Sequence, residues 1–210
     1  MTNRSVRIAP NNPVFDLPVI VGIEEGLFGA VDLDVQFAAS YADRERDQTN
    51  TPHLQRLKEQ MFEKGSADSY NVCEWASIDR IERGERSGAI AALRASVAAQ
   101  AIITFDEALQ TPRDMVDVPV VVQHYTGSHY TTVQMLESAI GADHVNIENG
   151  VLPQMRYAGL KDGTYRAVTV MEPFISLALK DGAHIVASSF YRGGEVVGID
   201  LSHEERQRFY

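Results

Sequence analysis

Three side chains in this 210-residue sequence have the chemistry of catalysts: Cys73, His129 and Glu172. Cys73 stands where a helix opens, and the dipole of a helix N-terminus lowers a thiol pKa and raises its reactivity. A small buried apolar residue is the commoner use of a lone cysteine. His129 can act as general acid or base near neutral pH, or simply hydrogen-bond at a helix start. Glu172 ends a strand against Pro173 and could hold a cationic group or take a proton. His124 and His129 are five residues apart and have no further ligand at a recognisable spacing, so neither a metal site nor a cofactor is expected.

His129 belongs to the stretch that organises the chain, Val118–Glu137. The β-branched run Val118–Val122, interrupted only by Pro119, suits a buried strand. A polar turn follows, and then the helical pattern of Val133, Met135, Leu136 and Ile140. A strand that breaks at a glycine and feeds a helix gathers free backbone N–H groups at one point, where partial positive charge attracts anions. Ligands of open α/β sheets sit beyond the carboxyl ends of the strands. Thr126, Gly127, Ser128, His129 and Tyr130 are therefore the first candidates for ligand contact, and a capped helix with a surface histidine is the plainer reading of the same residues.

The remaining elements alternate. Strands are expected at Ser5–Ala9, Leu33–Phe37, Ala67–Val72, 88–97, Gln100–Phe105, Val118–Val122, His144–Ile147, Arg166–Val170 and His184–Ser188. Helices are expected from Asp16, which is read as a cap with Pro18 in the first turn, from Thr51-Pro52, over Cys73–Arg83, after Gly127, over 151–160 and up to Leu179. Residues 38–50 read as a polar loop. Trp75, Ile78 and Ile81 recur every three residues and read as core, although Trp75 could stack on a ligand. Arg44, Arg46, Arg80, Arg83 and Arg86 are interleaved with acids and read as a solvated face. Strands alternating with helices imply βαβ units and a mostly parallel sheet. The plan occurs twice, which suggests a lobe over 1–97, a second over 98–190, and a return segment over 191–210.

Nineteen Lys and Arg against 29 Asp and Glu give a net charge of −10, which argues against a nucleic-acid surface. One cysteine excludes an internal disulfide and a cysteine-based zinc cluster. No apolar run approaches the roughly 20 residues of a membrane span, and the first ten residues do not read as a signal peptide. The sequence as written is expected in the cytoplasm, or outside it if a signal was removed.

Four stretches give the sequence a resemblance to a known family. They are Asp16–Phe28 followed by Leu33-Asp34-Val35; Phe62–Asp68; Ala108–Met115 with the Gly127-Ser128 turn; and Leu160–Gly163 with Val170–Phe174. Their order resembles the type II periplasmic solute-binding proteins, in the branch that binds aliphatic sulfonates, taurine, nitrate and thiamine precursors. The resemblance implies an α/β, two-lobed fold with mixed, mostly parallel sheets and a central cleft. It also implies that Asn11, Asn12, Phe15, Asn71, Thr126, Gly127, Ser128 and Tyr130 line that cleft, with Cys73 and Glu172 on neighbouring turns. In that family the glutamate matching Glu172 is often structural. The family continues with further helices, whereas here the chain stops at Tyr210 within a helix opening at Leu201, so a truncated or abbreviated member is expected.

The expected function is closure of two lobes on a small organic anion or polar heterocycle, as in transporter substrate-binding proteins, with a permease as partner if the protein is exported. The alternative is a cytosolic enzyme on the same fold, a desulfinase- or decarboxylase-like lyase or hydrolase using His129, Cys73 and Glu172. The related desulfinases carry their cysteine in the first lobe's opening loop, which here holds Asn11 and Asn12, so that role is not transferred to Cys73.

Overall fold

The computed structural model describes residues 4–44, 55–87, 89–150 and 152–210. The chain divides into two compact units, Met1–Arg94 with Gly193–Tyr210, and Ala95–Arg192.

In the first unit, β1 (Arg4–Ala9) leads through Pro10-Asn11-Asn12 into α1 (Pro13–Glu24) and on to β2 (Leu33–Phe37). Then come α2 (Tyr41–Arg44), α3 (Leu57–Glu63), β3 (Ser69–Cys73) and α4 (Glu74–Arg83). The strand β1 is central, pairing in parallel with β2 on one side and β3 on the other. Two longer strands, β4 (Ile90–Thr104) and β8 (His184–Val197), each begin in one unit and end in the other. The last part of β8 pairs antiparallel with β3. α8 (His203–Phe209) closes the unit, and its start is fixed by a capping box between Ser202 and Glu205.

The second unit repeats this plan. β5 (Val120–Val122) feeds α5 (Gly127–Ile140) and β6 (Ile147–Asn149), and α6 (Pro153–Lys161), β7 (Ala167–Val170) and α7 (Phe174–Lys180) follow. Again the first strand is central: β5 pairs in parallel with β6 and β7. β7 pairs antiparallel with β4, just as β3 does with β8. In each unit a strand is followed by connections that leave to opposite sides, which creates a topological switch at its carboxyl end.

Alternation along the strands explains how both sheet faces are covered. In the second unit Ala101, Ile103, Val121, Val168 and Val170 pack with Leu160, Ile175 and Ala178 on one face. Ile102, Val120, Val122 and Ala167 pack with Leu136 and Met115 on the other. The first unit sets Tyr70, Val72 and Val196 against Phe62 and Ala76. Its opposite face joins Val6, Ile8, Leu33, Val35 and Leu201 with Val19 and Ile23 of α1.

Several expectations are corrected. Asn12, not Asp16, caps α1: its side chain accepts the Val14 N–H, and Pro13 takes the first helical position. The fixed φ of proline begins the helix earlier and places Pro18 inside it. The expected strands at 88–97 and Gln100–Phe105 are one continuous β4, and the last strand runs on to Val197. A helical turn, α2, occupies part of the expected loop, and the helix start at Thr51-Pro52 lies outside the described residues. Ile78 and Ile81 are exposed, while the buried side of α4 carries Ala76, Ser77 and Arg80. Arg80 is not solvated: its guanidinium is buried, 2.8 Å from Glu63 and over the Phe62 ring. Arg86 likewise turns inward to the Phe62 and Ala67 carbonyls, at 3.1 and 3.0 Å. A paired, hydrogen-bonded arginine can be buried, and spacing cannot distinguish it from a surface one. Arg83 is solvated and paired with Asp79 one helical turn earlier, while Arg46 and the Arg44 side chain lie outside what the structure describes.

Candidate functional site

The carboxyl ends of β1 and β3 in the first unit meet around Asp16. This side chain is fully buried and accepts hydrogen bonds from the Asn11 backbone N–H at 2.7 Å, from the Tyr41 hydroxyl at 3.1 Å, and from Asn71 Nδ2. Asn71 Oδ1 in turn accepts from Asn11 Nδ2. Both ends of the Asn71 carboxamide are thus engaged within the protein. Its backbone carbonyl accepts from Lys58 Nζ at 2.9 Å, and the Lys58 side chain is buried beside Glu59. Across the β3–β8 ladder Asn71 faces Glu195, another buried carboxyl, with Arg94 Nε at 3.2 Å. Burial pushes the Glu195 carboxyl up to about 7 against the pull of Arg94, and Asp16 and Lys58 act on it in opposite senses.

The structure therefore brings Asn11 and Asn71 into direct contact, as parts of a network centred on Asp16. Asn12 is exposed and caps α1, and Phe15 is half-buried in the first turn of that helix. Cys73 caps α4, with its sulfur accepting the Ala76 N–H at 3.4 Å. Sequence reasoning missed Asp16 as a hub, and Lys58, Tyr41, Arg94 and Glu195 altogether. The one available signal was a single acid among Val14, Phe15, Leu17, Val19 and Ile20, in the otherwise apolar first two turns of the helix.

The corresponding point of the second unit is the turn from β5 into α5. Thr126 takes the cap position, but its hydroxyl does not cap the helix. It donates instead to the Gln123 carbonyl at 2.6 Å. Since that bond uses the Thr126 proton, the 2.9 Å contact between the two hydroxyls must be donated by Ser128, whose oxygen also receives the Gln123 N–H at 3.3 Å. The hydroxyls thus hold the turn closed, and the N–H groups of Gly127 and Ser128 at the positive end of a 14-residue helix have no acceptor among the described residues. Gly127 suits a close approach, because a Cβ there would lie 3.1 Å from the Tyr191 ring and would need that ring to give way slightly. Further along α5, Thr132 Oγ1 meets Thr169 Oγ1 of β7 at 2.6 Å, which fixes the helix on the sheet.

His129 is held by the same turn. Tyr125, at positive φ, donates its backbone N–H to His129 Nδ1 at 3.1 Å. The neutral ring therefore carries its proton on Nε2. Burial, followed by the neighbouring His124, lowers the His129 pKa and favours that neutral form. His129 stacks on the His124 ring, at 4.9 Å, and on the Tyr130 ring, at 5.1 Å. Glu172 follows β7 and turns back on α7: its carboxylate accepts the Ser176 N–H at 3.1 Å and the Ser176 hydroxyl at 3.0 Å. Thr126, Gly127, Ser128, His129 and Tyr130 thus share one helical turn, and Glu172 marks the adjacent strand end of the same unit. Among the described residues no group of three or more His, Cys, Asp or Glu side chains could hold a metal ion, and no helix is long and apolar enough to cross a membrane.

No family model matches the chain, and no curated protein matches it. Solved structures do. The alkanesulfonate-binding protein SsuA from Xanthomonas axonopodis pv. citri, bound to MOPS, superimposes with a TM-score of 0.67 at 13% identity over 100% of this chain. The fold is that of the type II periplasmic solute-binding proteins. The periplasmic aliphatic sulphonate-binding protein SsuA from Escherichia coli also gives a TM-score of 0.67, at 14% identity over 93% of this chain. This chain spans 70% and 65% of those two proteins. An ancestral arginine-binding protein gives 0.61 at 16% identity, covering 99% of this chain and 90% of its own. The shared fold is thus common to proteins whose ligands differ in charge and shape.

Proposed function

We propose that this chain binds a small polar molecule without transforming it, as a substrate-binding protein of the ABC-transporter kind. The observation that carries the reading is the first turn of α5. Its two leading N–H groups lack acceptors among the described residues while the Thr126 and Ser128 hydroxyl protons are engaged, and such a turn is suited to hold a ligand atom rather than to supply a nucleophile. The position of the turn, at the carboxyl end of a central strand where connections diverge, supports the same reading. So do the neighbours in fold, which are named for binding alkanesulfonate and arginine. A transporter permease is the partner this function implies.

The geometry favours binding over a lyase or hydrolase. A general base needs an available lone pair, and that of His129 Nδ1 already receives the Tyr125 N–H. The Glu172 carboxylate is engaged in capping α7. A thermal-shift series with MOPS, taurine, arginine and neutral heterocycles tests the proposal. A saturable rise of the unfolding midpoint is expected for at least one class. A flat response across the series, together with no co-purifying small molecule by native mass spectrometry, would overturn it.

A further inference from the structure

Gln100 is the one polar residue in the apolar run Ala98-Ala99-Gln100-Ala101-Ile102-Ile103 of β4. It is 0% exposed, and neither Oε1 nor Nε2 has a hydrogen-bond partner among the described residues. Its direction follows from register. Ile102 lies opposite Thr169, so the two side chains share a face of the sheet, and Thr169 reaches Thr132 of α5 on that face. Gln100 is two residues away on the same face. It lies towards the end where β7 finishes, because β4 and β7 are antiparallel, and α5 begins at that end. The carboxamide is thereby aimed beneath the first turn of α5, where the Gly127 and Ser128 N–H groups lie. A buried carboxamide without partners among the described residues is costly to keep, on the order of 1–3 kcal/mol per unsatisfied group, so its presence in the otherwise apolar run Ala98–Ile103 points to a ligand.

We propose that Gln100 forms the floor of a subsite under α5 and reads the edge of a planar neutral ring that presents N–H and C=O side by side, as in a cyclic amide or ureide. This inference rests on the binding function proposed above and narrows its ligand class. The Nε2–H donor of Gln100 and the α5 amides are met by ligand carbonyl oxygens, but Oε1 is an acceptor and is met only by a ligand donor. A group that only accepts, such as a sulfonate or carboxylate, would leave Oε1 unpaired and facing negative charge. Two-point pairing of a glutamine with a donor–acceptor edge is established chemistry in base recognition. The His124, His129 and Tyr130 rings and the Tyr191 ring beside Gly127 provide flat surfaces for such a ring.

The test is isothermal titration calorimetry on the full chain with uracil, with 1,3-dimethyluracil, whose ring donors are blocked, and with methanesulfonate, against the parent and Gln100→Met. Uracil should bind the parent, dimethyluracil at least tenfold more weakly, and Gln100→Met should lose at least tenfold for uracil. Equal affinity for the two uracils, unchanged uracil affinity in Gln100→Met, or no uracil binding overturns the inference. Methanesulfonate binding that survives Gln100→Met, with uracil inert, overturns it and leaves the binding function standing. Silence from all three probes and from the thermal-shift series removes both. Urea unfolding provides an arm independent of ligand: Gln100→Met should be at least as stable as the parent, and a lowered midpoint, showing that Gln100 has a partner within the fold, also overturns the inference.

Discussion

Replacing Glu195 by glutamine should change how stability depends on pH more than it changes stability itself. The carboxyl lies on β8 opposite Asn71, 3% exposed, with Arg94 Nε at 3.2 Å. Burial dominates, and the folded protein holds this proton up to about pH 7, against an ordinary value of 4.5. The unfolded chain releases its proton near the ordinary value, so between these limits the folded state binds more protons and stability falls as pH rises. The contribution is fully present below about pH 4.5 and is lost by the time pH has passed 7. At ~1.4 kcal/mol per decade the interval amounts to about 3 kcal/mol. Glutamine keeps the shape and cannot titrate. Urea unfolding of parent and Glu195→Gln from pH 4.5 to 8.5 isolates the group, because every other titration cancels in the difference. That difference should move by about 3 kcal/mol in favour of the variant as pH rises. The loss of Arg94's partner shifts the whole curve without tilting it. Parallel pH profiles for the two proteins would refute the reasoning, since they would require Glu195 to ionise normally despite its burial.

Two further outcomes follow from the sites. Asp16→Ala leaves the Asn11 N–H, the Asn71 amide and the Tyr41 hydroxyl without their acceptor and should cost about 3–5 kcal/mol in urea unfolding, with Asp16→Asn milder; a loss below ~1 kcal/mol would show that the network is not a structural hub. By NMR, His129 should titrate below an ordinary histidine and carry its neutral proton on Nε2, and a raised pKa or an Nδ1–H tautomer would contradict the bond from Tyr125.

What the sequence made legible were features governed by local rules. The strand, glycine turn and helix over Val118–Glu137 are there because β-branched residues, Gly127 and the spacing of the helix's apolar residues all act over a few positions. The alternation of strands and helices, and hence an α/β fold with mostly parallel sheets, followed from the same periodicities. What was not legible depended on partners distant in sequence. Asp16 was read as a cap because its acceptor role involves Asn71 and Tyr41, 55 and 25 residues away. Arg80 was assigned to solvent because Glu63 and Phe62 are needed to make its burial tolerable. The sequence reads as two strands, 88–97 and Gln100–Phe105, where the structure has one continuous β4. The geometry of the α5 turn also changes the meaning of His129, whose residue type promised acid–base chemistry until the Tyr125 amide occupied its lone pair.

The route of the chain through the two units has a consequence for synthesis on the ribosome. Every strand of the second unit's parallel core, β5, β6 and β7, and its antiparallel neighbour β4 have been made before Gly193. The first unit, although begun earlier, still lacks the partner of β3, since Ser69–Cys73 pairs with Gly193–Val197. One flank of β3, including Asn71, therefore waits for its ladder until the last part of β8 has been made. During that interval the nascent chain carries an open sheet edge of the kind that recruits chaperones or a second chain. The first unit is thus begun before the second and cannot be completed until the second has been synthesised.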